Sequence, residues 1–138
     1  MATGTLGTSA RDYHTRQTSF LSWAINNANF PAAATIKIGT IPMGGVALRA
    51  GFGTTVVFNN VTLNQLSIGK TASGAELVAS TVGLAALGRT DLAVPIAAAS
   101  GPFAADQDVY VTNTSTGGGQ TTGAGVVWVE YMVPNPTS

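Results

Sequence analysis

Between Gly123 and Val133 the chain reads GAGVVWVEYMV. On an extended backbone Val127, Val129, Tyr131 and Val133 share one face. Val126, Trp128 and Met132 share the other, interrupted only by Glu130. A strand that is apolar on both faces wants cover on both, whereas a solvated strand alternates apolar with polar residues. This stretch predicts either the middle of a β-sandwich or a sheet whose outer face meets a partner.

The rest of the chain repeats the period-2 signal in short pieces. Ile36, Ile38 and Ile41 nearly alternate with Thr35, Lys37 and Thr40, and Pro42-Met43-Gly44-Gly45 makes a turn. Val46, Leu48 and Ala50 alternate next, with Gly51 and Gly53 as bulge-like points before the β-branched Thr54–Phe58 and the turn at Asn59-Asn60. Leu66 and Ile68 form a short strand ending at Gly69, and Glu76–Thr81 adds another. Leu92, Val94 and Ile96 alternate, with Pro95 pushing that strand to a sheet edge. Val109 and Val111 flank Tyr110, and the polar, glycine-rich Asn113–Gly125 reads as a long hairpin tip. Near the front, residues 10–27 admit a helix through Tyr13, Phe20, Leu21 and Ala24, but Thr and Ser before Phe20 and Asn26-Asn27 after Ile25 favour a strand at 19–25. Eight or nine strands separated by turn signals, with no long helix, predict an all-β protein. The expected architecture is an antiparallel β-sandwich, jelly-roll-like, over residues 19–138. Residues 1–18, rich in Thr, Ser, Gly and Ala, are expected to form an extended, flexible N-terminal arm.

Charge sharpens the expectation of a partner. Only six Lys/Arg and six Asp/Glu occur in 138 residues, far below the usual quarter of a globular chain. Residues 1–50 hold four cations against one carboxylate, and residues 51–138 hold two cations against five carboxylates. Sparse, near-neutral surfaces favour association. This distribution lacks the dense basic patch that nucleic-acid binding needs, so no nucleic-acid partner is expected. The absence of cysteine removes disulfides and thiolate metal sites and fits synthesis in a reducing cytoplasm. The start, MATGTLGTSARDY, has no basic region followed by an apolar run, and no stretch approaches the ~20 apolar residues of a membrane helix, so no membrane association is expected.

Candidate chemistry is thin. Gly69-Lys70-Thr71 imitates the end of a phosphate-binding loop, but Asn64 stands where that motif needs glycine, and a strand-end turn is the better reading. His14, the one histidine, has Asp12 nearby but no nucleophile elbow to serve. Asp106 and Asp108 share a face on an extended chain yet lack the further oxygens of a calcium loop. A hydrolase built on Asp106, Asp108 or Glu76 needs two acids brought face to face by folding. Trp23 and Trp128 are each either core or interface residues, or sugar-stacking platforms. Asn60-Val61-Thr62 and Asn113-Thr114-Ser115 match the glycosylation pattern but carry little weight without a secretion signal. The expectation is a protein without catalytic residues, metal or cofactor.

Several segments carry a resemblance. They are Ile41-Pro42-Met43-Gly44-Gly45-Val46 through Leu48-Arg49-Ala50-Gly51, then Thr54-Thr55 with Phe58-Asn59, Leu66-Ser67-Ile68-Gly69 and Leu77-Val78-Ala79. Gly101-Pro102-Phe103-Ala104-Ala105-Asp106 and Gly123–Tyr131 complete the set, which covers most of residues 40–133. In these turns and strand ends the chain resembles the small jelly-roll cement, or decoration, proteins of tailed-bacteriophage heads, and among them the Bordetella podovirus type. The resemblance implies a structural virion protein, not an enzyme, made in the host cytoplasm and bound to the outer surface of the capsid. Its implied partners are the major capsid protein and itself, as a homodimer first and a trimer second. Arg11, Tyr13 and Arg16 are then the expected capsid contacts of the arm. Trp128, Tyr131 and Met132 are expected in core or subunit packing. The rival expectation is a carbohydrate-binding jelly-roll module of a virion fibre or accessory protein, with Trp23 or Trp128 exposed beside polar groups.

Overall fold

The computed structural model describes residues 18–92, 94, 95 and 97–133. Eight strands follow one another: β1 (Thr18–Asn26), β2 (Thr35–Ile41), β3 (Val46–Val56), β4 (Gln65–Gly69), β5 (Val78–Val82), β6 (Gly88–Leu92), β7 (Gln107–Asn113) and β8 (Ala124–Met132). A single 3₁₀ turn, Ala98–Ser100, is the helical element among the described residues. Two four-stranded antiparallel sheets result, ordered β1-β8-β3-β6 and β2-β7-β4-β5. The pairs β1·β8, β2·β7, β3·β6 and β4·β5 are nested, as if one long antiparallel ribbon had been wound around a barrel. That is the jelly-roll-like sandwich the spacing predicts.

The core lies between the sheets. Phe52, Val127 and Val129 of one sheet face Ile41, Leu66, Ile68, Val109 and Val111 of the other, and Phe30, Phe58, Leu77 and Leu84 close the ends from loops. Each such side chain contributes about 1.5–3 kcal/mol on leaving water. The strand expected at 19–25 is β1, so β-propensity and flanking turn residues prevailed over the helical spacing of Phe20, Leu21 and Ala24.

Three local expectations change. β3 runs unbroken through Gly51 and Gly53, and its register shifts fall at Ala47/Arg49 and Thr54/Val56 instead. The strand expected at Leu92–Ile96 ends at Leu92 and begins at Gly88, so its charged residues Arg89 and Asp91 belong to the sheet. Asn113–Gly125 is no hairpin tip. β7 and β8 lie in different sheets, and this segment carries the chain across the end of the sandwich.

A polar network holds that crossover. Gln120 Oε1 accepts from Asn60 Nδ2 (2.6 Å) and Asn113 Nδ2 (3.2 Å), while Gln120 Nε2 donates to Asn27 Oδ1 and the Phe30 carbonyl, both at 3.0 Å. Asn59 Oδ1 accepts from the amides of Thr121 and Thr122. The two glycosylation-like asparagines are thereby committed: Asn60 is 5% and Asn113 1% exposed, and the Nδ2 of each donates inside the fold.

The acids at the start of β7, Asp106 just before it and Asp108 within it, also serve the fold. Asp106 Oδ1 accepts from the Met43 amide (2.9 Å), fixing the β2–β3 turn, and Asp108 accepts from Thr40 Oγ1 (2.7 Å) and Lys37 Nζ (3.0 Å). The Thr40 bond, with Lys37 beside it, holds the Asp108 carboxyl below the usual carboxylate range. A depressed folded pKa contributes stability that is complete above the unfolded value of about 3.9 and is lost as pH falls through the folded value. Asp108→Asn is therefore expected to flatten the acid limb of stability, seen as a urea midpoint that falls less between about pH 5 and pH 2 than the wild type's.

Candidate functional site

The outer face of the β1-β8-β3-β6 sheet gathers the chemistry. Strand parity turns Val127 and Val129 inward, with Tyr131 packed against the core, and leaves Val126, Trp128, Glu130 and Met132 outward. No second sheet covers that outer face among the described residues. Register sets Phe20 and Arg49 on either side of Glu130, and Ser22 and Gly51 on either side of Trp128. Gly51 is required there: a Cβ would come within 2.6 Å of Trp128 Cζ2, so the bare backbone lets the indole lie down on β3.

Phe20, Trp128, Arg49, Glu130, Arg89 and Asp91 line a groove of about 310 Å³. Its charges are paired. Arg49 Nη2 meets Glu130 Oε2 at 2.7 Å, with the Glu130 side chain only 11% exposed. Arg89 reaches Asp91 through two bonds, Nε to Oδ1 at 2.8 Å and Nη2 to Oδ2 at 2.9 Å. The bidentate Arg89 bond holds the Asp91 carboxyl below its ordinary range, and the Arg49 charge adds to it. Two cations and two carboxylates leave the groove without net charge, and Phe20 and Trp128 add aromatic surface to it. Such a surface suits uncharged polar or aromatic contacts and repels neither sign of partner.

The residues singled out by sequence are divided by this geometry. Trp128 and Met132 share the outer face and are half-buried, whereas Tyr131 points to the opposite side. Arg11, Tyr13 and Arg16 lie outside the described residues. Trp23 is 45% exposed on β1 and lies apart from the groove. Sequence reasoning missed Phe20, Arg49, Arg89 and Asp91 as a group. The available signal was the two-residue spacing of Arg89 and Asp91, which a strand places on one face.

Elsewhere the candidate motifs are structural. Lys70 N and Thr71 Oγ1 donate to the Glu76 carboxylate at 3.3 and 3.2 Å, so Gly69-Lys70-Thr71 is the first half of a turn closed by Glu76. Burial pushes the Glu76 carboxyl up, but these hydrogen bonds outweigh it and the net direction is down. Glu76, Asp106 and Asp108 each hold local backbone or side-chain partners and form no facing pair of acids.

No protein-family model matches the chain, and no curated protein matches it. Solved structures do. A chain of the cyanophage Pam1 capsid asymmetric unit superposes with a TM-score of 0.65 at 14% identity, covering 87% of both chains. A chain of the Ralstonia phage GP4 capsid gives 0.63 at 15% identity, covering 88% of this chain and 86% of that one. The acid-stable capsid of the Helicobacter pylori bacteriophage KHP30 contains a third, at 0.55 and 13% identity, covering 87% and 94%. The fold is that of chains found in phage capsids.

Proposed function

We propose that this protein is a structural component of a phage head that binds the outside of the assembled shell and cements adjacent major capsid protein subunits. The observation that carries the reading is the fold likeness, over 87–88% of this chain, to chains of three phage capsid structures. The near-neutral surface and the uncovered outer face of the β1-β8-β3-β6 sheet support it, because a lasting interface needs surface that loses little on drying. The cementing role, a place among Bordetella podovirus-like cement proteins and a dimeric subunit extend the sequence resemblance. In this reading Arg11, Tyr13 and Arg16 reach capsid subunits, and the chain has no catalytic duty. A protein that binds the assembled lattice better than free subunits stabilises it by mass action, by about 2.7 kcal/mol per site at a hundredfold excess over Kd. Heads lacking the protein are accordingly expected to rupture at lower temperature and to regain wild-type rupture when it is added back. Heads that neither bind it nor change on its removal would end the proposal.

The groove supports a second reading as a carbohydrate-binding module. Phe20 and Trp128 beside paired arginines and carboxylates offer a stacking surface with donors and acceptors for hydroxyl groups. It expects glycan-array binding that disappears in Arg89→Gln and Trp128→Ala, whereas a purely cementing surface shows no glycan signal.

A further inference from the structure

A sheet edge presents a row of main-chain donors and acceptors, and proteins guard such edges with charge, proline, bulges or short length. Three of the four edges here are guarded. β6 is five residues long and carries Arg89 and Asp91. β2 carries Lys37 and a register shift at Lys37/Gly39. β5 is five residues long and pairs across a register shift. β1 has none of these. Its sequence TSFLSWAIN contains no charge, proline or glycine, and it pairs with β8 residue for residue over all nine positions without a shift. Phe20 and Trp23 are 58% and 45% exposed along it.

The free edge has a defined extent. Asn29 Nδ2 donates to the Ala24 carbonyl (3.1 Å) and Asn29 Oδ1 accepts from the Asn26 amide (2.8 Å). Even-numbered residues of β1 therefore turn their main-chain groups away from β8, and Asn29 caps that outer row from Ala24 onward. No other described residue pairs with it. Thr18–Trp23 and the Ala24 amide remain, and they match themselves. Laid antiparallel about Leu21, Phe20 falls opposite Ser22 of the second copy and Trp23 opposite Ser19, with Leu21 meeting its own copy on the axis and outward main-chain groups in hydrogen-bonding register. No charge meets its like across the axis.

We propose that β1 pairs with β1 of a second copy across a two-fold axis, joining two four-stranded sheets into one of eight. This rests on reading the chain as a self-associating subunit and is independent of where that subunit sits in a virion. The partner supplies main-chain hydrogen bonds, and Phe20 and Trp23 add apolar burial on either side of the seam. The test is oligomeric state by light scattering and native mass spectrometry of the full chain, from about 1 μM to 100 μM. Ser22→Pro removes an amide that points away from β8, leaving the internal ladder whole, and Phe20→Lys adds the missing guard charge without touching the main chain. Each is expected to weaken dimerisation on the order of 100-fold while circular dichroism stays wild type. The Phe20 and Ser22 amides are expected to gain hydrogen-exchange protection as the wild-type concentration rises. A wild-type monomer throughout would overturn both the pairing and the self-association reading. A dimer that survives either variant with its fold intact, or leaves the Phe20 and Ser22 amides unprotected, would overturn the pairing alone.

Discussion

Gln120→Ala is expected to destabilise the protein by about 3 kcal/mol, although it removes one polar side chain from a loop. Its amide is the hub of four hydrogen bonds. Without it Asn60 Nδ2 loses its shortest bond, Asn113 Nδ2 keeps only the Phe30 carbonyl, and Asn27 Oδ1 loses its donor. Asn60 and Asn113 are buried, so water cannot repair the loss cheaply. Each of the four bonds lost is worth about 0.5–1.5 kcal/mol. The check is chemical denaturation: the midpoint should fall, and amides of residues 113–123 should lose exchange protection before those of the sheets. A drop below about 0.5 kcal/mol would mean that the crossover is held by its backbone alone.

Phe58→Ala is expected to cost about 3–5 kcal/mol. Phe58 is 2% exposed and meets Phe30 edge to face, with ring centroids 6.3 Å apart. Gly123 packs against the same ring so closely that a Cβ there would collide with it. Losing the ring therefore opens a cavity beneath the crossover segment that Gln120 ties down from above. A melting temperature lower by roughly 10–20 °C is the expected readout for a domain of this size. Phe30 touches both sites, so the double variant should fall short of the sum of the two single losses.

The two substitutions act on one end of the sandwich, and they mark what was hardest to read. The strands of period two were legible because Ile36, Ile38, Leu66, Ile68, Val109 and Val111 place apolar side chains on one face whatever the topology. The crossover was not. Asn113–Gly125 has the composition of a hairpin loop, and only its amide bonds to Asn27, Phe30 and Asn60, distant in sequence, show it joining two sheets. Likewise the glycosylation pattern at Asn60 and Asn113 carried little weight in the sequence, and only the fold shows both residues buried.

The candidate site divides the same way. That β8 is apolar on both faces follows from Val126–Met132 alone, because strand parity is a local property of the backbone. Which face stays open is not local. Glu130 draws a partner from β3, and Trp128 finds room because a glycine, Gly51, stands beside it, both through a register set by long-range pairing. The period-2 pattern determined that the chain would be all-β, and composition that it would be poor in charge and without cysteine chemistry. Only the tertiary structure decided that Phe20, Arg49, Arg89, Asp91 and Trp128 would meet and that β1 would be the unguarded edge. A residue's neighbours across a sheet depend on which strands pair, and residues 81 positions apart in the chain, such as Arg49 and Glu130, carry no mark of each other until they do.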